Sequence, residues 1–456
     1  MYDVTGLRAQ FPSLASGIAH FDGPGGTQTP REVGEAIART LTGPVSNKGV
    51  GILSERNATA AITAFREAMG DFLASDPGGI VHNRSATALA YDFAAHLSRS
   101  WGPGDEVVVS RLDHDSNVRP WIQAAERVGA SVRWIEFDPA TTEVDPASVE
   151  DAIGPSTVFV AVGAASNLLG TIAPVRWIAD LAHEHGALVW VDAVHYAAHL
   201  LPDRGALGAD FLVCSPYKFL GPHCGVLAAD PERLAGLRAD KLVPQTSVVP
   251  EALERGTLPY ETLAGVTAAV DFLAGLADLT GGRPGVSGTP VGTPVGTAEA
   301  PPSGAGREFS RRARLGESFT ALHAHEDALL ATLEEGLRDL GDEVVLWSRA
   351  HERTPTLLIT LPGRDVTEAY RVLARDHEVL APAGDFYAWE TVQRLGLPDL
   401  RGLRMGIAPY TDSRDVERLL AGLRTFLEAT PPAHVGADGA GADGAGADGA
   451  GTRAAR

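Results

Sequence analysis

Cysteine is nearly absent from this chain, with only Cys214 and Cys224 among 456 residues. A pair in so long a chain is no disulfide framework and fits a reducing compartment. Basic charge is also short, because 38 Lys and Arg face 58 Asp and Glu for a formal net charge of -20. Such a surface repels phosphate backbones and anionic headgroups, which argues against nucleic-acid and membrane partners. No window approaches the roughly eighteen uninterrupted apolar residues of a membrane-spanning helix. The stretch Met1–Gly17 lacks a basic start followed by an apolar run, so no signal peptide is indicated. Glycine-rich nucleotide fingerprints of the G-x-G-x-x-G or G-x-x-x-x-G-K-[ST] kind do not follow any strand pattern. A soluble, cytoplasmic protein is expected.

What the chain does have is apolar mass. Hydrophobic residues make up 44% of it, enough for two or three structural units rather than one. Short β-rich runs recur at Glu106–Ser110, Ser131–Glu136, Thr157–Val162, Ala187–Val191, Phe211–Cys214 and Gly225–Ala228. Helical patterns such as Trp121–Val128 and Val175–His185 lie between several of them. Continuously apolar strands spaced by helices predict an α/β unit with a mostly parallel sheet covered on both faces. Beyond Gly306 the pattern predicts a long helix, strands near 344–347, 356–361 and 403–408, and helices near 366–375 and up to about 427, a smaller α+β unit. Residues 281–306 are dense in Gly, Pro, Thr and Ala, and the tail repeats Gly, Ala and Asp. Neither can bury enough apolar surface to offset its ordering entropy, so both are expected to be disordered.

Chemistry gathers at two strand ends. The run Val189–Val191 delivers Asp192 and, three residues later, His195. Phe211–Cys214 is followed by Ser215, Tyr217 and Lys218. Adjacent strands would present a carboxylate and an amine at one rim, where ligands of open α/β sheets sit. Polar residues at strand ends are common, and either segment alone would be unremarkable. Together they suit a heterocyclic aldehyde, held as an imine by a lysine and kept electron-poor by a carboxylate on its protonated ring nitrogen.

Over the stretch from Asn167-Leu-Leu-Gly170-Thr171 through Val191-Asp192 and Ala209-Asp210-Phe211 to Ser215-Pro-Tyr-Lys218 and Gly221-Pro222, the chain resembles cysteine desulfurases of the class V aminotransferase family. The resemblance implies fold type I, namely a large cofactor domain with a mainly parallel, seven-stranded-type sheet between helices and a smaller α+β C-terminal domain. It implies an N-terminal segment (1–30) packing on the small domain, a large domain at 31–280, a linker or insertion at 281–306, a small domain at 307–430 and a tail at 431–456. The implied cofactor is pyridoxal 5′-phosphate.

By the same resemblance Lys218 would hold the cofactor and shuttle the proton at the substrate α-carbon. Asp192 would pair with the ring nitrogen, His114 would stack on the ring and act beside Lys218, and His195 would meet the phenolic oxygen. Ser85, Ala86 and Thr87, leading into a helix expected near Ala88, would hold the phosphate with help from Ser215 and Tyr217. Asn167 would touch cofactor or substrate, and Arg404 would fork onto the substrate carboxylate, for which two parallel guanidinium donors are suited. Thr262, on a stretch that resembles the loop a second subunit supplies, implies a homodimer. No metal site is expected.

Two departures matter. Tyr387 stands where a persulfide-forming enzyme would carry its nucleophilic cysteine, and a phenol near pKa 10 cannot replace a thiolate. Gly51 stands where the family has an active-site histidine. An amino-acid enzyme acting at the α-carbon is therefore expected, first as an aminotransferase, with a β-eliminating C–S lyase or an epimerase as alternatives.

Overall fold

The computed structural model describes residues 2–281 and 310–432. The expected linker beyond Gly281 and the tail beyond Pro432 lie outside the described residues. A short first strand, β1 (Ala19–His20), precedes seven strands of one sheet: β2 (Ile80–Asn83), β3 (Glu106–Ser110), β4 (Ser131–Ile135), β5 (Thr157–Gly163), β6 (Leu188–Asp192), β7 (Phe211–Cys214) and β8 (Gly225–Ala229). Their order across the sheet is β2-β8-β7-β6-β5-β3-β4. The four neighbouring pairs from β7 to β4 are parallel, and β8 runs antiparallel to both β7 and β2.

The continuous apolar character of these strands has a direct cause. Successive side chains point to opposite faces, and each face has its own core. Val160, Val162, Val189, Val191 and Leu212 join one cluster, while Phe159, Ala161, Trp190, Phe211 and Val213 join the other. Every one of these residues is buried. A strand with one wet face would alternate apolar and polar residues; these do not.

The C-terminal unit carries β9 (Val345–Leu346), β10 (Thr356–Thr360), β11 (Val379–Leu380), β12 (Ala383–Gly384) and β13 (Gly402–Gly406). Four of them form an antiparallel sheet of order β12-β13-β10-β9. The helices Arg311–Arg338, Val366–His377 and Ser413–Ala429 contribute Leu333, Leu373 and Leu423 to its core. The N-terminal segment is woven into this unit and then out of it. Its β1 pairs in parallel with β11, and Arg8 reaches the Tyr410 carbonyl at 2.7 Å and Asp415 at 2.6 Å. Further on, Thr27 N–H donates to the Tyr217 carbonyl at 3.0 Å, so the same segment reaches the rim where Lys218 lies.

Elements differ from the sequence reading mainly at their ends. The helix expected near Ala88 begins at Ala86, because the Ser85 hydroxyl accepts from Ala88 N–H at 3.1 Å and caps it earlier. Strand β6 extends through Asp192 itself, which places the carboxylate on the ladder rather than after it.

Candidate active site

Three groups of residues converge on one cavity of about 650 Å³. The first comes from strand ends of the large sheet. Asp192 closes β6, and Ser215, Tyr217 and Lys218 follow β7, which is hydrogen-bonded to β6. The second comes from a helix N-terminus, where Ser85, Ala86 and Thr87 line the cavity at the start of Ala86–Leu97. Gly225 makes that start possible. A Cβ there would lie 2.3 Å from the Ser85 carbonyl carbon, so only glycine lets β8 pass beneath the turn. The third group faces the sheet rim and comprises Arg404 on β13 with Phe386 and Tyr387 on the loop after β12.

Lys218 and Asp192 thus share one chamber. Lys218 Nζ donates to the Pro24 carbonyl, and the Asp192 carboxylate accepts from Val194 N–H at 2.8 Å. Burial lowers the Lys218 amine to about 7, with the positive charge of Arg404 acting in the same direction and Asp192 opposing both. Burial raises Asp192 to about 6, offset partly by the Val194 N–H and by Lys218. Both side chains line the cavity, and burial desolvates them.

The two histidines are neutral at neutral pH. Burial, reinforced by Lys218 and Arg404, pushes His114 down to about 4. Its Nδ1 accepts from Ser116 N–H at 3.1 Å, which leaves the proton on Nε2 and fixes the ring. His195 is driven well below its usual value, first by burial and then by the nearby cations. Its Nε2 lies 2.9 Å from the Thr354 hydroxyl and 3.2 Å from that of Thr356, while Nδ1 is buried without a partner. An unpaired buried nitrogen in a cavity wall is costly unless a ligand meets it.

Arg404 is 3% exposed. Its Nη1 donates to the Asn167 carbonyl at 2.8 Å, its guanidinium lies 3.8 Å over the Phe386 ring, and Nε has no partner. Burial lowers it to about 9, so it remains a cation at neutral pH. Among the described residues it forms no ion pair. Asn167 donates through Nδ2 to the Phe386 carbonyl at 2.9 Å, and its Oδ1 is buried and unpaired.

Asp113, Pro24 and Phe386 are among the lining residues that escaped the sequence reading. Asp113 closes the turn after β3, is 5% exposed, and accepts from Asn117 Nδ2 at 2.7 Å and Gly163 N–H at 2.8 Å. Burial nevertheless raises it to about 8, and Asp192 adds to that. A Cβ on Gly163 would come within 2.7 Å of its carboxylate. The strand-end logic that found Asp192 applies equally to Asp113, directly before His114. Pro24 and Phe386 left no such signal, because only long-range folding brings them here. Thr262 lies in the helix Tyr260–Ala274 and does not line the cavity of its own chain.

Both cysteines are buried. Burial pushes the Cys214 thiol well above its usual value and Cys224 up to about 12, so neither offers a thiolate. Among the described residues no cluster of His, Cys, Asp and Glu could hold a metal ion, and no helix is long and apolar enough to cross a membrane.

A desolvated amine, a carboxylate on the neighbouring strand, a helix N-terminus and unpaired polar atoms in the walls together make a cradle for an anionic pyridine aldehyde, and the residues present fit pyridoxal 5′-phosphate. Comparison with known proteins agrees. Residues 19–279 match the family model Aminotransferase class-V. A Mycobacterium tuberculosis (strain CDC 1551 / Oshkosh) protein named "Uncharacterized protein MT3887" is 31% identical over 92% of this chain and 98% of its own length. A "Probable cysteine desulfurase" of Pseudomonas aeruginosa is 29% identical over 92% of this chain and 98% of its own. In fold, the cysteine desulfurase CsdA of Escherichia coli superposes with a TM-score of 0.77 at 23% identity, covering 94% of this chain and 99% of that one. The chain belongs to the class V aminotransferase family and is similar to its cysteine desulfurases. Members of this family are pyridoxal-phosphate-dependent enzymes, and that is this chain's cofactor.

Proposed function

We propose that this protein acts at the α-carbon of an amino acid, first as an aminotransferase. One observation carries the reading: a buried guanidinium with no carboxylate paired to it among the described residues, Arg404, lines the cavity that also holds Lys218 and Asp192. An unpaired buried cation is strongly unfavourable in the absence of ligand, and a substrate carboxylate supplies the missing charge.

The bound cofactor supplies an electron sink for the pair left when a bond at the α-carbon breaks. Lys218 holds the cofactor and, as a free amine with its lowered pKa, takes and returns the α-proton. Asp192 keeps the ring nitrogen protonated by presenting a carboxylate in a desolvated setting. His114, as a neutral ring, would stack on the cofactor, and the free Nδ1 of His195 would meet its phenolic oxygen. The Ala86 and Thr87 backbone amides, with the Ser85, Thr87, Ser215 and Tyr217 hydroxyls, receive the phosphate at the helix start. Arg404 and Asn167 orient the carboxylate.

A second reading is a C–S lyase that works by β-elimination. It is favoured by the two buried cysteines, since elimination needs no sulfur-accepting thiolate. Epimerisation uses the same Lys218 and stays third. The reading includes a homodimer, with Thr262 of the partner subunit completing the phosphate end, and a cytoplasmic, reducing setting. Exposed Val50, Ile52, Leu242 and Val243 beside a cleft of about 440 Å³ support a second copy there. Sedimentation at micromolar concentration tests this, and a monomer would remove the role of Thr262.

The deciding experiment has two parts. Purified protein given the cofactor should gain a visible absorbance band that borohydride bleaches while fixing the cofactor covalently to the chain, and Lys218→Ala should lose both the band and the fixed cofactor. Amino acids are then screened for spectral change, with products assayed as keto acid, sulfide or inverted isomer. A protein that stays colourless with excess cofactor ends the proposal.

A further inference from the structure

The loop Asp385–Ala388 has a backbone that few side chains tolerate. Phe386 and Tyr387 stand consecutively in the left-handed region, at φ 54 and 57. Non-glycine residues hold that conformation only where surrounding contacts over-determine it. Three contacts do so here. Asn167 Nδ2 donates to the Phe386 carbonyl at 2.9 Å, Asp115 N–H donates to the Tyr387 carbonyl at 2.7 Å, and Asp385 accepts from Tyr387 N–H at 2.9 Å.

Behind the loop lies a latch. Glu390 binds Arg111 at 2.6 Å and also Arg119, which in turn pairs with Asp115 at 2.8 Å. Thr391 donates its hydroxyl to the Arg111 carbonyl at 2.8 Å. These bonds tie the small-domain loop to the turn that carries His114, and they consume Arg119, a lining cation that could otherwise receive an anion.

What the latch presents is a ring. The Phe386 side chain lies face-on under the Arg404 guanidinium at 3.8 Å, on a group whose other contact is the Asn167 carbonyl. Asn167 therefore holds the arginine through its backbone and the ring through its side chain, closing a triangle of Asn167, Phe386 and Arg404. No carboxylate pairs directly with Arg404 among the described residues; Asp22 favours its charge from a distance, and the Phe386 face lies directly against the guanidinium.

We propose that Phe386 is a positioning residue for carboxylate recognition: held in place by the Glu390 latch and by Asn167, its ring seats the Arg404 guanidinium for the carboxylate of the incoming ligand. The idea rests on the proposed amino-acid chemistry of the same cavity. The ring does not touch the reacting atoms. It fixes the arginine's plane before ligand arrives, so less ordering is left to the binding step.

The test uses the cofactor-loaded protein and two oxyamine probes, aminooxyacetate and methoxyamine. Both displace Lys218 from the cofactor carbonyl through the same nitrogen, but only the first carries a carboxylate. The ratio of their rate constants, read from loss of the visible band, isolates carboxylate recognition from cofactor access and from folding. Wild type should favour aminooxyacetate, and Arg404→Ala should abolish the preference. Phe386→Leu, apolar without a π face, should lower the ratio about tenfold, while Phe386→Tyr keeps it within about twofold. Glu390→Gln should lower the ratio in the same direction and, in cofactor-free protein, speed hydrogen exchange at the amides of 385–388. A wild-type ratio in Phe386→Leu, with Arg404→Ala still losing the preference, overturns the proposal and leaves the cavity's chemistry intact. A released loop with an unchanged ratio overturns it too. A ratio indifferent to Arg404→Ala would instead remove the carboxylate assignment itself.

Discussion

The cavity has two walls that stand opposite each other and are held by different forces. The sheet-side wall grows from strand ends whose positions follow from the ladder: Asp192 is the last rung of β6, and Lys218 follows β7 through one tight turn. The loop-side wall, Asp385–Ala388, has no ladder at all. It is held by ion pairs to Glu390, by the Asn167 amide and by two residues in the left-handed region. Regular hydrogen bonding makes the first wall cooperative with the core. The second depends on a few polar contacts at a half-exposed surface, so it can open without the sheet unfolding.

That contrast can be broken most severely at Gly225. A methyl group there would meet the Ser85 backbone at 2.3 Å, and backbone atoms cannot step aside. Gly225→Ala is expected to cost more than about 4 kcal/mol and to abolish cofactor binding, measured by denaturant unfolding and by loss of the visible band. A folded variant with wild-type cofactor affinity would mean the sheet-side wall is as adaptable as the loop.

Next in size is a pH effect on the same wall. The free amine of Lys218 is the form that captures the cofactor carbonyl, and burial brings its pKa down to about 7. Capture by the cofactor-free protein should therefore climb with rising pH and level off not far above 7. An ordinary lysine, charged until about pH 10.4, would keep accelerating across the whole alkaline range. A rate still climbing steeply at pH 9 contradicts the desolvated amine.

Smaller effects belong to the loop. Glu390→Ala leaves Arg111 and Arg119 without their shared carboxylate, and a loss of about 1–3 kcal/mol is expected in thermal or denaturant unfolding. Proteolysis should then cut first near residues 385–390, ahead of global unfolding; cleavage elsewhere would show that this wall is not the weaker one. Smallest of all is Tyr387→Phe. The side chain is 73% exposed, so the change should alter cofactor binding and stability by less than about 0.5 kcal/mol. A large loss there would give the phenol a chemical role that its exposure does not suggest.

Legibility follows the same division. Asp192 and Lys218 were readable because each follows an apolar run, where a period in the sequence converts directly into a place on the rim; Ser85 and His114 came from the family resemblance. Asp113 obeyed the same rule and was passed over beside His114. The seven-stranded sheet was readable as mostly parallel, but the reversal of β8 against β7 and β2 was not, since Gly225–Ala229 is as apolar as its parallel neighbours. Phe386 looked like part of an ordinary loop, and its place beneath Arg404 depends on Asn167, whose hydrogen bond to the Phe386 carbonyl spans 219 positions of the chain.

By itself the amino-acid order determined the strand and helix composition, the two-faced burial of the sheet and the pairing of an amine with a carboxylate at neighbouring strand ends. These are local consequences of side-chain period and chain stiffness. Only the tertiary structure decided that Pro24 meets Lys218, that Arg404 has no ion-pair partner among the described residues and that Phe386 lies against it. Such contacts join segments far apart in the chain, and their energies arise from desolvation and shape, which no local pattern encodes.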